Sequence, residues 1–152
     1  MRFLDTRTTV LSPDEVEAMV GRLRAACAGT PIVLLYLHGA HARGTQGPLS
    51  DLDLAVLLEA DAARDPHAFL ALLGKLTDAC GREDLDVVLL NRAGLIIKDR
   101  VVRDGRLLFA ASERERVRFE AHAIKEALDF RYFSRVYDDA LFGQLAEGRF
   151  LG

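Results

Sequence analysis

The sequence has no long hydrophobic run and little cysteine, and both absences limit what the protein can be. No apolar stretch reaches the length of about 20 residues that a membrane-spanning helix needs. The segment MRFLDTRTT at the N-terminus lacks the apolar core of a signal peptide. The two cysteines, Cys27 and Cys80, form neither a metal-binding spacing nor a disulfide framework. We therefore expect buried thiols in a reducing, cytoplasmic setting, with no membrane partner.

A basic excess is also missing. The formal net charge is −3, from 20 Lys and Arg against 23 Asp and Glu, so we expect no direct binding of nucleic acid. Half of the 152 residues are hydrophobic, which suits a packed core. This length fits one domain, which we place at residues 1–152, with a core at about 12–110 and a C-terminal helix at about 112–145.

Helical and extended patterns alternate along the chain and predict a mixed α/β fold. Ser12 begins the first predicted helix with a capping box, because Glu15 stands three residues later. The run PIVLLYL at 31–37 is apolar throughout, as in a strand covered on both faces. Further predicted elements are strands at 51–58, 84–90 and 106–110, and helices at 61–81, 93–102 and from Ser112 to about 145.

The connections between the first three predicted strands indicate how they pair. A dozen residues join the first to the second, which suits an antiparallel return. The connection at 59–83 contains a helix, which suits a parallel crossover. In that arrangement the end of the first strand and the starts of the second and third lie at one edge of the sheet. Gly39-Ala40, Asp51-Asp53 and Asp84-Asp86 are therefore expected to meet there.

Asp51 and Asp53 stand one residue apart at the head of the second predicted strand. Alternate residues of a strand share a face, about 6.5 Å apart along the backbone. Buried carboxylates are costly unless they are paired or bind a metal, and such a pair suits two divalent cations about 3.5–4 Å apart. The alternative is a solvated strand start at the Ser50-Asp51 turn, which the meeting of three segments disfavours.

Asp86 lies deeper in the third predicted strand than Asp84, on the same face. A third carboxylate beside a metal pair suits both a metal ligand and a general base that deprotonates an attacking hydroxyl. We therefore predict Asp51, Asp53 and Asp86 as the catalytic and metal-binding residues. We expect Asp84 to be an exposed residue at the strand start.

A glycine-containing connection follows the first predicted strand. Its Gly39-Ala40 turn leads into His41-Ala42-Arg43, where backbone N–H groups can bind phosphate oxygens and Arg43 can add a charged hydrogen bond. The predicted nucleotide-binding residues are Gly39, Ala40, Arg43 and Ser50. Together with the carboxylates they indicate metal-dependent phosphoryl chemistry on a nucleotide.

The pattern Gly39-Ala40, ten residues, Asp51-Leu52-Asp53 and then Asp86 resembles the nucleotidyltransferase superfamily related to DNA polymerase β. The runs SDLDLAVLL, DVVLLNRA and DGRLLFA most resemble the MntA-like minimal nucleotidyltransferase (MNT) antitoxins of HEPN/MNT toxin–antitoxin systems. The resemblance covers the chain to about Ala110, and loosely the C-terminal helix.

This resemblance implies an αβαβαβ mixed sheet, two Mg²⁺ ions and ATP as substrate. It implies transfer of AMP to a tyrosine of a partner HEPN-domain RNase toxin, which neutralises the toxin. By position, Asp51 and Asp53 would bind metal, Asp86 would complete the triad, and Gly39 and Ala40 would hold the triphosphate.

One residue departs from the family pattern, because Ala40 stands where the family has serine. Loss of one hydrogen bond to a charged group costs roughly 1.5–3 kcal/mol, which weakens catalysis without necessarily ending it. His38 and Thr45 are candidates to compensate. Two alternatives stay open: a protein that neutralises its toxin by binding alone, and a nucleotidyltransferase acting on a small molecule.

Aromatic residues recur along the last predicted helix. We expect Phe130, Tyr132, Phe133 and Tyr137 to belong to the helix core, with a docking surface as the alternative.

Overall fold

The structure is a computed structural model that describes residues 11–39, 42 and 51–148. Helices and strands alternate along these residues. They are α1 (Pro13–Cys27), β1 (Ile32–His38), β2 (Leu52–Leu58), α2 (Ala60–Ala63), α3 (Pro66–Cys80), β3 (Leu85–Leu89), α4 (Leu95–Asp104), β4 (Arg106–Ala110) and α5 (Glu113–Ala146). The predicted mixed α/β fold with a long C-terminal helix is confirmed.

The four strands form one mixed sheet in the order β3-β2-β1-β4. β1 pairs antiparallel with both β2 and β4. β2 and β3 are parallel, and α3 lies within the crossover between them. This topology agrees with the pairing predicted from the connection lengths. It brings the end of β1 and the starts of β2 and β3 to the same edge, which we call the acidic edge.

Each face of the sheet has its own apolar layer, because side chains alternate along the strands. On one face, Leu54 and Val56 of β2 pack with Leu23 of α1 and Leu76 of α3. The opposite face packs against α4 and α5 through a second cluster, whose buried members are Leu34, Tyr36, Ala55, Leu90 and Val101. In β1, Leu34 to Leu37 are at most 2% exposed, so the central strand is covered on both faces as predicted.

The predicted helix starts are present in local detail. Ser12 caps α1: the Glu15 N–H donates to Ser12 Oγ at 3.2 Å, and the Ser12 N–H donates to Glu15 Oε2 at 2.7 Å. Ser112 caps α5 by accepting a hydrogen bond from the Glu115 N–H. These bonds occupy N–H groups that have no partner within the first turn of a helix.

The helix predicted at 61–81 is instead two helices, α2 and α3, with a break at Arg64 and Asp65. The Asp65 side chain accepts a hydrogen bond from the His67 N–H at 3.0 Å. Pro66 then occupies the first position of α3, where its missing N–H has no cost. Local capping therefore restarts the helix.

α5 has 34 residues, which corresponds to about 51 Å. Its buried residues are Ala123 and Ala127. The four aromatic residues expected in the helix core are exposed instead. The exposed fraction is 48% at Phe130 and 66–69% at Tyr132, Phe133 and Tyr137. That prediction is wrong, because the sheet and α4 lie beneath the earlier part of the helix. Within the described residues, no helix has the length and apolar character to cross a membrane.

Candidate active site

Three polar side chains form a row across the acidic edge. In the strand register, His38 of β1 is opposite Asp53 of β2, and Asp53 is opposite Asp86 of β3. Residues directly opposite each other on neighbouring strands project from the same face, and adjacent strands lie about 4.8 Å apart. The topology therefore places His38, Asp53 and Asp86 side by side on the face that α4 and α5 cover further along the strands.

Gly39 holds the turn beside this row in a conformation that suits glycine. Its φ angle is +70°, in the left-handed region that residues with a Cβ rarely adopt. A Cβ built at Gly39 would lie 2.3 Å from Asp53 Oδ2 and 3.1 Å from Asp53 Cγ. The absence of a side chain at Gly39 thus makes room for the Asp53 carboxylate at the strand end.

Asp51 and Asp84 precede the two parallel strands and differ in their surroundings. Asp51 is exposed. Asp84 forms a salt bridge with Arg82, and the two side chains are 13% and 9% exposed, so the expectation that Asp84 is an exposed residue is wrong. The Asp84 backbone carbonyl also accepts a hydrogen bond from the Leu52 N–H at 3.1 Å, which joins the starts of the two strands.

Arg82 brings a positive charge to the acidic edge. Its Nε donates to Asp84 Oδ1 at 2.8 Å. The hydrogen bonding with Asp84 raises the pKa of Arg82, burial opposes this shift, and the negative charges of Asp84 and Asp51 add to it. Arg82 therefore partly neutralises the carboxylates at the strand starts. Its salt bridge with Asp84 is a structural ion pair.

Within the part of the chain that the structure describes, the carboxylates at the acidic edge do not form a complete metal cage. Across residues 11–39, 42 and 51–148, no three His, Cys, Asp or Glu side chains are grouped closely enough to hold one. Mg²⁺, however, commonly binds through one or two carboxylates together with substrate phosphates and waters, without a cage made wholly of protein. The adjacent Asp53 and Asp86 fit a cation of that kind, which binds together with a nucleotide.

Part of the predicted site lies outside the described residues. Ala40, Arg43 and Ser50 of the predicted nucleotide-binding set are among them, as is Thr45. Their roles stay predictions from the sequence, as do the catalytic roles of Asp51, Asp53 and Asp86.

The sequence patterns give little indication that two residues, His38 and Arg82, belong to the acidic edge. The sequence indicates His38 only as a candidate to compensate for the missing hydroxyl of Ala40, and it does not indicate Arg82. Strand alternation predicts that His38 lies on the same face as Tyr36, two residues earlier, and next to the Gly39 turn. Arg82 gave no such signal, since its partner is set by the turn that leads into β3.

A mixed sheet with acidic groups at the edge where β1 ends and β2 begins is the arrangement that the resemblance to nucleotidyltransferases predicts. A family model described as "Polymerase beta, Nucleotidyltransferase" matches residues 24–114, more than half of the chain. The chain belongs to this nucleotidyltransferase family. A comparison with curated proteins gave no match.

Solved structures share this fold. A toxin–antitoxin crystallised with AMP-PNP has 26% sequence identity and a TM-score of 0.61, over 87% of this chain and 99% of that chain. A mutant of the toxin–antitoxin MntA-HpeT has 26% identity and a TM-score of 0.59, over 88% and 99%.

A third structure is the tri-AMPylated Shewanella oneidensis HEPN toxin in complex with MNT antitoxin. It has 23% identity and a TM-score of 0.56, over 85% of this chain and 96% of that chain, and supports the fold alone. With the family match, these structures confirm the resemblance to MNT antitoxins that the sequence indicated.

Proposed function

We propose that this protein is an antitoxin that transfers AMP from ATP, with Mg²⁺, to a tyrosine of a HEPN RNase toxin and thereby neutralises it. The single observation that carries the proposal is the row at the acidic edge, where Asp53 and Asp86 are neighbours beside the Gly39 turn. Membership of the nucleotidyltransferase family supports the reaction class. The toxin–antitoxin structures supply the analogy for the partner. We take residues 1–152 to form one nucleotidyltransferase domain.

In this proposal the carboxylates of Asp51, Asp53 and Asp86 would hold two Mg²⁺ ions together with the phosphates of the nucleotide. The bound ions would supply neutralisation of the phosphate charge. The tyrosine oxygen forms a bond to the α-phosphorus, and the bond between that phosphorus and the bridging oxygen to the β-phosphate breaks. Pyrophosphate leaves with the electron pair of that bond. The Asp86 carboxylate accepts the phenolic proton as general base.

Nucleotide binding falls to the turn after β1. The backbone N–H groups of Gly39 and Ala40 donate to the triphosphate, and Arg43 and Ser50 add polar contacts. Ala40 has no hydroxyl, so this site relies on backbone donors and neighbouring side chains more than the family pattern does.

The test is incubation of the full-length protein with labelled ATP, Mg²⁺ and the cognate HEPN toxin. Label is expected on a toxin tyrosine, with none after Asp53→Asn. The matched control is Asp78→Asn, which makes the same change of charge at an exposed position of α3 and should transfer normally. If the wild-type protein labels no partner, the proposed reaction is wrong.

A second candidate function is neutralisation by binding alone. The replacement of the family serine by Ala40 favours it, because a weakened phosphate site leaves the covering of the toxin as the remaining activity. Cells expressing the toxin distinguish the two functions. Loss of protection with Asp51→Asn/Asp53→Asn supports catalysis, whereas full protection by that variant supports binding alone.

A further inference from the structure

His38, the last residue of β1, carries a buried ring nitrogen that makes no hydrogen bond with the residues that the structure describes. Its Nε2 atom is buried, and no residue in the described part of the chain accepts from it or donates to it. Buried polar atoms are nearly always paired with protein or water. An exception in a family that binds nucleotides is therefore a reason to look for a ligand group as the partner.

The position of His38 fits such a ligand. Its side chain shares a face and a cross-strand row with Asp53, and Gly39 follows it directly. Leu37 before it belongs to the apolar layer on the other face. The imidazole thus stands between the buried part of the strand and the turn predicted to bind phosphates.

We propose that His38 Nε2 donates a hydrogen bond to a phosphate oxygen of the bound nucleotide. This inference rests on the proposed function, since it names a further binding residue of the same site. A neutral imidazole with its proton on Nε2 is a donor at that atom, and phosphate oxygens are acceptors. The bond replaces the contact of the hydroxyl that Ala40 lacks two residues later.

The competing explanation is a histidine that serves only to fill space at the strand end. A space-filling residue would be replaced without effect on the nucleotide by an apolar side chain of similar size. A donor to phosphate would not, because the hydrogen bond to a charged group is lost. In the protein without nucleotide both explanations leave the nitrogen unpaired, which opposes folding, so the affinity for nucleotide distinguishes them.

The experiment is calorimetric titration of the full-length protein with AMP-PNP in the presence of Mg²⁺. His38→Ala should raise the Kd about tenfold or more, the usual range for a lost hydrogen bond to a charged group. His38→Gln should retain most of the affinity, because its amide nitrogen reaches close to the Nε2 position. His38→Asn should not, since its shorter amide reaches only to about the Nδ1 position.

Two further variants sharpen the assignment. Ala40→Ser in the His38→Ala background should recover part of the affinity, because it restores the hydroxyl of the family pattern. The matched control is His67→Ala, which removes an exposed histidine near the start of α3 and should leave the Kd unchanged.

A second readout needs no activity. His38→Leu should raise the thermal midpoint of the protein without nucleotide, because an apolar group replaces an unpaired buried nitrogen. The same variant should bind AMP-PNP more weakly. Opposite movements of midpoint and affinity support the proposal, whereas a space-filling histidine predicts an unchanged affinity.

The outcomes separate this proposal from the function on which it rests. If the wild-type protein binds AMP-PNP and His38→Ala binds it equally well, the role of His38 is wrong and the proposed function stands. If the wild-type protein neither binds AMP-PNP nor transfers label, both are wrong. If His38→Ala does not fold, the comparison of His38→Gln with His38→Asn decides, and equal affinities of those two overturn the proposal.

Discussion

Gly39 and Asp53 are in such close contact that the Asp53 carboxylate fills the space where a side chain at position 39 would begin. A Cβ built at Gly39 would lie 2.3 Å from Asp53 Oδ2, well inside any van der Waals contact. The contact joins the turn after β1 to a carboxylate of β2. It places the backbone of the predicted phosphate-binding segment directly against the side chain of the predicted metal-binding residue.

This contact predicts that Gly39→Ala damages transfer more than it damages folding. The new methyl group must displace the Asp53 carboxylate, and a misplacement of about 1 Å in a catalytic site can cost about 100-fold in rate. The control is Gly29→Ala, since Gly29 has a similar φ of +72° and no atom within 4 Å of an added Cβ. The two variants should have similar thermal midpoints, and label transfer to the toxin should fall in Gly39→Ala alone. Equal transfer by both variants would show that the Asp53 position does not matter.

Of the two carboxylates that precede β2 and β3, we expect Asp51 to serve catalysis and Asp84 to serve stability. Asp84→Asn weakens its ion pair with the mostly buried Arg82 and should lower the free energy of unfolding by roughly 1.5–3 kcal/mol. Asp51→Asn changes an exposed side chain and should alter stability by less than about 0.5 kcal/mol, while transfer is lost. Denaturant unfolding and the labelling assay together check both statements. A stability loss confined to Asp51→Asn would contradict them.

Burial should keep both cysteines unreactive in the native protein. Cys27 is 1% exposed and Cys80 3%, and burial is the main cause that raises the pKa of each thiol from 9.0 to about 11. At pH 8 the higher pKa lowers the thiolate fraction about 100-fold, so iodoacetamide should modify the native protein far more slowly than the unfolded one.

The same shifts fix the sign of a pH effect on stability. Because the folded state retains these protons when the unfolded state has lost them, the stability that they contribute is complete below pH 9. It declines as the pH rises towards 11. For the reactivity of the thiols, equal alkylation rates of native and unfolded protein at pH 8 would contradict the prediction, because they would show that the thiols are accessible.

The sheet and its acidic edge could be predicted because their signals are local. The apolar run of β1 marks a strand buried on both faces. The lengths of the two connections then fix an antiparallel and a parallel pairing, and the pairing brings Asp53 next to Asp86. None of these steps depends on a distant side chain.

The Arg82 ion pair and the exposed surface of α5 could not be predicted, because the first depends on the path of a turn and the second on how far the rest of the fold extends. Arg82 stands two residues before its partner Asp84, and only the path of the turn brings their side chains together. Along α5, the sequence shows an apolar pattern but not how far the rest of the fold extends beneath it. Aromatic residues at helical spacing look the same whether their own domain covers them or not.

The exposed aromatic residues of α5 should contribute little to the stability of the isolated chain. Phe133 is 67% exposed and Tyr137 69%, so Phe133→Ala and Tyr137→Ala should each change the free energy of unfolding by less than about 0.5 kcal/mol. By contrast, Leu76→Ala in the core should cost about 2–5 kcal/mol, because Leu76 is 1% exposed. Denaturant titration of the three variants at low protein concentration measures these values. A cost of several kcal/mol at Phe133 would mean that α5 packs against another surface in solution, since the described residues leave this side chain 67% exposed.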